Sequence, residues 1–116
     1  MDRSKEIQLL AYLLENIEII EEYCSGHDEE AFLRDGKTRD AVLTRLIVLG
    51  EYSIRLDDEL KERFSEVQWQ LIKAARNYYA HVYNGIDWLR VWSVVENELP
   101  GLKSKIENII VILEKE

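Results

Sequence analysis

Apolar residues recur at helical spacing along almost the whole chain, and no stretch sustains the strict alternation of a half-buried strand. Ile7, Leu10, Leu14 and Ile17 form one stripe, flanked by Leu13 and Ile20, and predict a first helix from about Asp2 to Cys24. Ser25-Gly26 ends it, because glycine readily takes the left-handed conformation of a helix C-terminal cap. Asp28 is placed to cap a short helix through Phe32 and Leu33 that stops near Gly36. A second long helix is expected from about Thr38 to Leu56, with Val42, Leu46, Leu49 and Ile54 among its apolar positions. Gly50 falls in its middle, where glycine costs roughly 1 kcal/mol relative to alanine. Close packing of a neighbouring helix explains such a residue. Asp57 or Asp58 then caps the short segment DELKERF, and a third long helix follows from about Val67 to Tyr83.

The last segment carries the clearest pattern. Trp88, Trp92, Val95, Leu99, Leu102, Ile106, Ile109 and Leu113 follow alternating steps of four and three, and the seam passes through Pro100 without losing phase. Proline lacks an N–H and crowds the preceding turn, so the expectation is one long helix with a kink. Five glycines and one proline are too few punctuation points for an all-β domain. Four substantial helices in 116 residues predict an all-α, antiparallel four-helix-type bundle, with short extra helices and a long proline-kinked C-terminal helix. At this length residues 1–116 are expected to form one domain. Trp69, Trp88 and Trp92 at helical spacing read as core or interface rather than a base-stacking surface. So small a bundle gains buried apolar surface by pairing, and a homodimer is expected.

Composition narrows the function classes. A chain 47% hydrophobic and 33% charged has the balance of a soluble globular protein. No apolar run approaches the roughly 20 residues of a membrane span. The start, MDRSKEIQLL, lacks the pattern of a secretory signal, so a cytoplasmic location is expected. One cysteine, Cys24, excludes an internal disulfide, and with only His27 and His81 beside it a zinc site is not expected. No cofactor is implied. The net charge is −8, concentrated in residues 1–30, which hold nine acids and two bases. Such an acidic chain is poorly suited to non-specific duplex DNA binding, which depends on neutralising phosphates.

Candidate chemistry gathers in residues 73–87, KAARNYYAHVYNGID. Arg, Asn, His and three tyrosines sit near the end of a helix, just before an Asn-Gly turn. Asn77 and His81 are four apart and share a face. Arg76 and His81 are five apart, about 140° around an ideal helix, so one straight helix does not point them the same way. They converge through the long arginine side chain, a distorted helix end, or a symmetry-related copy. The residues alone leave plainer roles open: Arg76 on C-terminal carbonyls, His81 as a core histidine, Tyr78 and Tyr79 as packing groups.

Arg76-Asn77, His81 and Tyr83 together have the form R-N-x-x-x-H-x-Y. This resembles the motif of the HEPN superfamily, and specifically the HepT toxin family paired with MntA-type minimal nucleotidyltransferases. The likeness extends along the chain. Lys37-Thr38-Arg39-Asp40-Ala41-Val42 resembles the start of that family's second long helix, and Leu49-Gly50-Glu51 its mid-helix glycine-glutamate pair. Asn84-Gly85-Ile86-Asp87, Val91-Trp92 and Glu98-Leu99-Pro100 with Leu102 resemble its final segment. Val82 stands where the family often has glycine or aspartate, and Arg39 where it often has glutamine.

The resemblance implies a metal-independent endoribonuclease that works as a dimer with facing motifs. His81 and Arg76 would be catalytic, with Asn77 in support. The 2′-OH of RNA would attack the adjacent phosphate, leaving a 2′,3′-cyclic phosphate, and DNA would be spared for want of that hydroxyl. Tyr83 would be the acceptor of AMP from a cognate nucleotidyltransferase antitoxin. Two other readings remain at this stage: a non-catalytic helical dimer that binds such a partner or a nucleotide, and a purely structural dimer.

Overall fold

The computed structural model describes all 116 residues, and every regular element in it is helical. The elements are α1 (Arg3–Cys24), α2 (Glu29–Arg34), α3 (Gly36–Arg55), α4 (Asp58–Arg63), α5 (Trp69–His81), α6 (Trp88–Ser93), a π-helical turn (Val94–Glu98) and α7 (Leu99–Glu114). Five of these helices begin at an aspartate whose carboxylate accepts a backbone N–H of the first turn: Asp2, Asp28, Asp35, Asp57 and Asp87. Each such cap is worth about 1 kcal/mol. Five of the chain's seven aspartates therefore do local work.

Asp35 also corrects the boundary expected near Gly36. Its side chain reaches Thr38 N at 3.1 Å, so α3 starts at Gly36, which opens the long helix instead of closing the short one. Gly26 behaves as expected, taking φ +79° just after α1.

The helices pack antiparallel. Asn16 of α1 meets Arg45 of α3 and Tyr12 meets Tyr52, so their numbering runs in opposite directions. Lys103 of α7 pairs with Glu21, and Arg3 reaches Leu113 O, which sets α7 against α1 in the same manner. Across the bundle the order is α5, α3, α1, α7. The buried stripe of α1 is Leu10, Leu13, Ile17, Ile20 and Cys24, with Ile7 and Leu14 at its margin. Opposite it lie Val42, Leu46 and Leu49 of α3 and Ile106, Ile109 and Leu113 of α7. Phe32 anchors α2, fully buried against the rings of Trp88 and Trp92. The one buried amide, Asn16, is satisfied: it donates to Tyr12 O at 2.8 Å and accepts from Arg45.

The distortion expected at Pro100 takes a specific form. The helix widens over Val94–Glu98, and Leu99 N–H bonds to Val94 O, five residues back. This loosened turn makes room for the proline ring and tolerates its missing donor, while the apolar seam continues into α7. The bundle's fourth side is left open. Between α5 and the Val94–Lys105 stretch runs a groove of about 790 Å3, lined mostly by apolar groups such as Leu46, Leu71, Ala75, Tyr78 and Leu102. No helix is long and apolar enough to cross a membrane.

Candidate active site

The site is built on α5, which lies along α3. Trp69, Ile72, Arg76 and Tyr79 occupy one stripe of α5 at steps of three and four, and Tyr83 falls at the next step beyond the helix end. Trp69 is buried, with its indole N–H donating to Phe64 O at 3.1 Å, and Tyr79 is buried about three turns further along the stripe. Burial pushes the Tyr79 hydroxyl above its ordinary pKa. Arg76 thus holds an inward position where the period calls for an apolar side chain.

Two features of α3 receive it. Gly50 has no Cβ, and one built there would overlap Arg76 Cβ and lie 2.8 Å from its Cγ. Glu51, the next residue, accepts from Arg76 Nε at 2.8 Å. The mid-helix glycine therefore has the explanation expected of it, close helix packing, and its neighbour adds a charge-assisted tether. Arg76 Nη1 also donates to Asn77 Oδ1. These contacts use Nε and one Nη1 hydrogen; the three remaining guanidinium hydrogens are available to an anion.

His81 closes α5 and is exposed, with no hydrogen bond to any side chain in the molecule. It is not a core histidine. Asn77 does not reach it; its carbonyl oxygen is spent on Arg76, and its amide hydrogens remain free to donate. Nor does Arg76 turn towards His81, since its guanidinium is held back on α3. One chain therefore presents the two side chains separately, on faces 140° apart by helical geometry. The open groove includes neither residue, although Ala74 on its wall lies seven residues before His81, on the same side of α5.

Tyr83 lies two residues past the helix end, 56% exposed, rather than within the helix predicted to reach it. Its hydroxyl donates to Asp40 Oδ1 of α3 at 2.7 Å. That bond to a carboxylate raises the pKa of the phenol. Asp40 and Glu51, both within stretches singled out in the sequence, had no assigned partner there; their bonds to Tyr83 and Arg76 cross 43 and 25 residues of chain. Arg39 is engaged elsewhere, donating to Leu33 O at 2.8 Å and lying 5.1 Å over the Trp88 ring. No three His, Cys, Asp or Glu side chains converge as a metal site would require.

Comparison with known proteins places these residues in context. A family model described as "Ribonuclease HepT-like" matches residues 13–109. A "Probable ribonuclease HepT" from Thermococcus cleftensis is 34% identical over 84% of this chain and 88% of its own length. A Methanocaldococcus jannaschii protein named as a candidate RNase is 31% identical over 97% of this chain and 93% of its own. A second protein of that organism, whose name joins gamma-glutamylcyclotransferase to a candidate RNase, is 32% identical over 96% of this chain. The chain spans only 50% of the length of that relative. No solved structure matches the chain.

Proposed function

The chain belongs to the HepT-like ribonuclease family, and from that premise we propose that it is an endoribonuclease toxin which cuts RNA as a homodimer. The observation that carries this reading is that α5 bears both a guanidinium with spare donors and, at its end, an unbonded, exposed imidazole. In the proposed reaction His81 removes the proton from the ribose 2′-OH, or returns one to the departing 5′ oxygen, as an imidazole can near neutral pH. Arg76 holds the scissile phosphate and stabilises the charge that develops on its oxygens. Asn77 donates its free amide hydrogens to the same phosphate. The products are a 2′,3′-cyclic phosphate and a 5′-OH, and no metal ion takes part.

Two copies are required because one chain keeps the two groups apart. A two-fold axis beside α5 would set the His81 of one copy opposite the Arg76 of the other. The outward face of α5 offers a surface for such pairing: Leu71 and Tyr78 are 58% and 47% exposed. Tyr83, exposed and with its oxygen at the surface, is proposed as the acceptor of AMP from a cognate MntA-type nucleotidyltransferase. The added phosphodiester would bring bulk and negative charge to the His81 end of α5 and compete with RNA.

Paired expression of wild type and His81→Ala, followed by end-group analysis of cellular RNA, tests the nuclease. Growth arrest with cyclic-phosphate ends is expected from the wild type alone. Equal growth and intact RNA in both would end this reading. Incubation with the partner and ATP should add AMP masses to wild type and none to Tyr83→Phe.

A further inference from the structure

Asp40 and Glu51 are eleven residues apart on α3, about 20° from each other around the axis and roughly 16 Å along it. The same face of α3 thus offers α5 two carboxylates, one for Arg76 and one for Tyr83, and His81 lies between those two anchor points in sequence. Apart from the buried Tyr79 and, beyond the helix end, Ile86, little else holds this end of α5. Asn77, Tyr78, Ala80, His81, Val82 and Tyr83 are all exposed. The last helical N–H contact is Val82 N to Tyr78 O, and Tyr78 Oη reaches Gly85 O at a long 3.4 Å. The Tyr83–Asp40 bond is the only side-chain hydrogen bond that ties residues 77–86 to another helix.

We propose that Asp40 is a positioning residue for the catalytic centre: through Tyr83 it latches the His81 end of α5 to α3, and a nucleotidyl group on the Tyr83 oxygen releases that latch. The proposal rests on the ribonuclease and Tyr83-modification reading above and adds a physical route from one to the other. The bond needs a phenolic O–H. When Tyr83 attacks the α-phosphorus of a nucleoside triphosphate, the new O–P bond replaces the O–H and the α–β anhydride bond breaks. Pyrophosphate leaves, and the phenolic proton passes to Asp40 and on to solvent. The donor is then gone, and a phosphodiester anion stands beside the Asp40 carboxylate. A hydrogen bond has become a like-charge contact. Silencing then follows from displacement of His81 as well as from the bulk and charge that the nucleotide sets against RNA.

Cleavage of a fluorogenic oligoribonucleotide by the full chain tests the latch. Asp40→Ala and Tyr83→Phe should each lower kcat about 2- to 10-fold, the span that one net hydrogen bond allows. KM should stay near wild type because Arg76 is untouched. The double variant should be no worse than either single one. Asp40→Asn should recover most of the Asp40→Ala loss, since an amide oxygen still accepts from the phenol. Tyr83→Glu, which sets an anion against Asp40, should fall below Tyr83→Phe, and adding Asp40→Asn should lift it back to that level. Losses that add in the double variant, or full activity in Asp40→Ala, overturn the latch. Amide hydrogen exchange over residues 78–86 gives a readout that needs no activity. It should quicken in Asp40→Ala while exchange in α1 and α7 is unchanged, and an unchanged rate at 78–86 overturns the proposal even in a protein that cuts no RNA. Inactivity of the wild type together with quickened exchange would instead fault the ribonuclease reading and leave the latch standing.

Discussion

Replacing Gly50 by alanine sets two effects of known size against each other. In an exposed helix interior the change would stabilise by roughly 1 kcal/mol, through backbone entropy alone. At this position the new methyl would overlap Arg76 Cβ and sit 2.8 Å from its Cγ, against an optimum of about 3.5–4.0 Å between carbon atoms. The obstacle is the root of a side chain and cannot rotate away, so α5 must retreat from α3 by about 1 Å. Overpacking of this kind costs about 1–3 kcal/mol. Stretching the Arg76–Glu51 pair adds little, since Glu51 is 45% exposed and such pairs are worth at most about 1 kcal/mol. The net expectation, at the middle of these ranges, is a loss of about 1 kcal/mol and at most about 2. For a chain of this size that lowers Tm by roughly 3–10 °C. Gly101, in the first turns of α7, is the internal control: nothing lies within 4 Å of a Cβ placed there, so Gly101→Ala should raise Tm. Thermal melts by circular dichroism, at one protein concentration because any self-association makes Tm depend on it, decide the matter. If Gly50→Ala melts at or above wild type, the close approach of the two helices is not what the glycine serves. On the proposed ribonuclease reading, RNA cleavage should suffer more than stability, because about 1 Å of misplacement in a catalytic group can cost 100-fold in rate.

Three further outcomes are expected. His27 Nε2 lies 3.0 Å from Asp35 Oδ2, which raises the His27 pKa above 6.5 and holds the Asp35 carboxyl below 3.8, with Thr38 the larger cause for the latter. The histidine's contribution is full below pH 6.5 and fades as pH rises through its folded pKa, whereas the aspartate's is full above pH 3.8 and fades as pH falls through its own; His27→Gln should therefore flatten the fall in Tm above pH 6.5, and an unchanged profile counts against the pair. Cys24 is buried, and desolvation, with Glu96 adding to it, pushes its thiol up to about 11; native protein at pH 8 should resist a disulfide exchange reagent and react fully once unfolded in urea, and prompt native reaction would contradict the burial. Phe32→Ala should cost about 3–5 kcal/mol in urea unfolding and alter tryptophan fluorescence, because the ring fills the space between α2 and Trp88 and Trp92; a loss below about 1 kcal/mol would show that α2 is not pinned by it.

The architecture was legible where one periodic signal spans many residues. The Trp88-to-Leu113 seam supplied the last helix, and the capping aspartates at 28 and 57 marked starts correctly. The start at Asp35 was missed because Gly36 suits a helix end as well as a first turn, and only the Asp35–Thr38 contact distinguishes them. Of the candidate site, Arg76 is marked by the motif, and its charge on the stripe between Ile72 and Tyr79 is a second signal that the motif reading did not use. The stripe also carries Tyr83 on the side of α3, although the helix stops short of it. What holds these residues could not be read. Glu51 and Asp40 act across the gap between two helices, and pairing between helices leaves no period in the sequence. Asn77 shows the same limit from the other side, sharing a face with His81 by spacing yet bonding to Arg76.

The wide turn at Val94–Glu98 also bears on which changes of length the chain can accept. It holds one backbone position more than an α-helical turn would need. Removing one residue there, together with Pro100→Ala, would tighten the turn to ordinary winding and leave α6 and α7 facing as they do now. Removing one residue midway through α1 would swing everything beyond the cut about 100° out of phase, carrying leucines and isoleucines from the core into water. Insertions and deletions among relatives should accordingly gather at this slack in the helix and be scarce in α1.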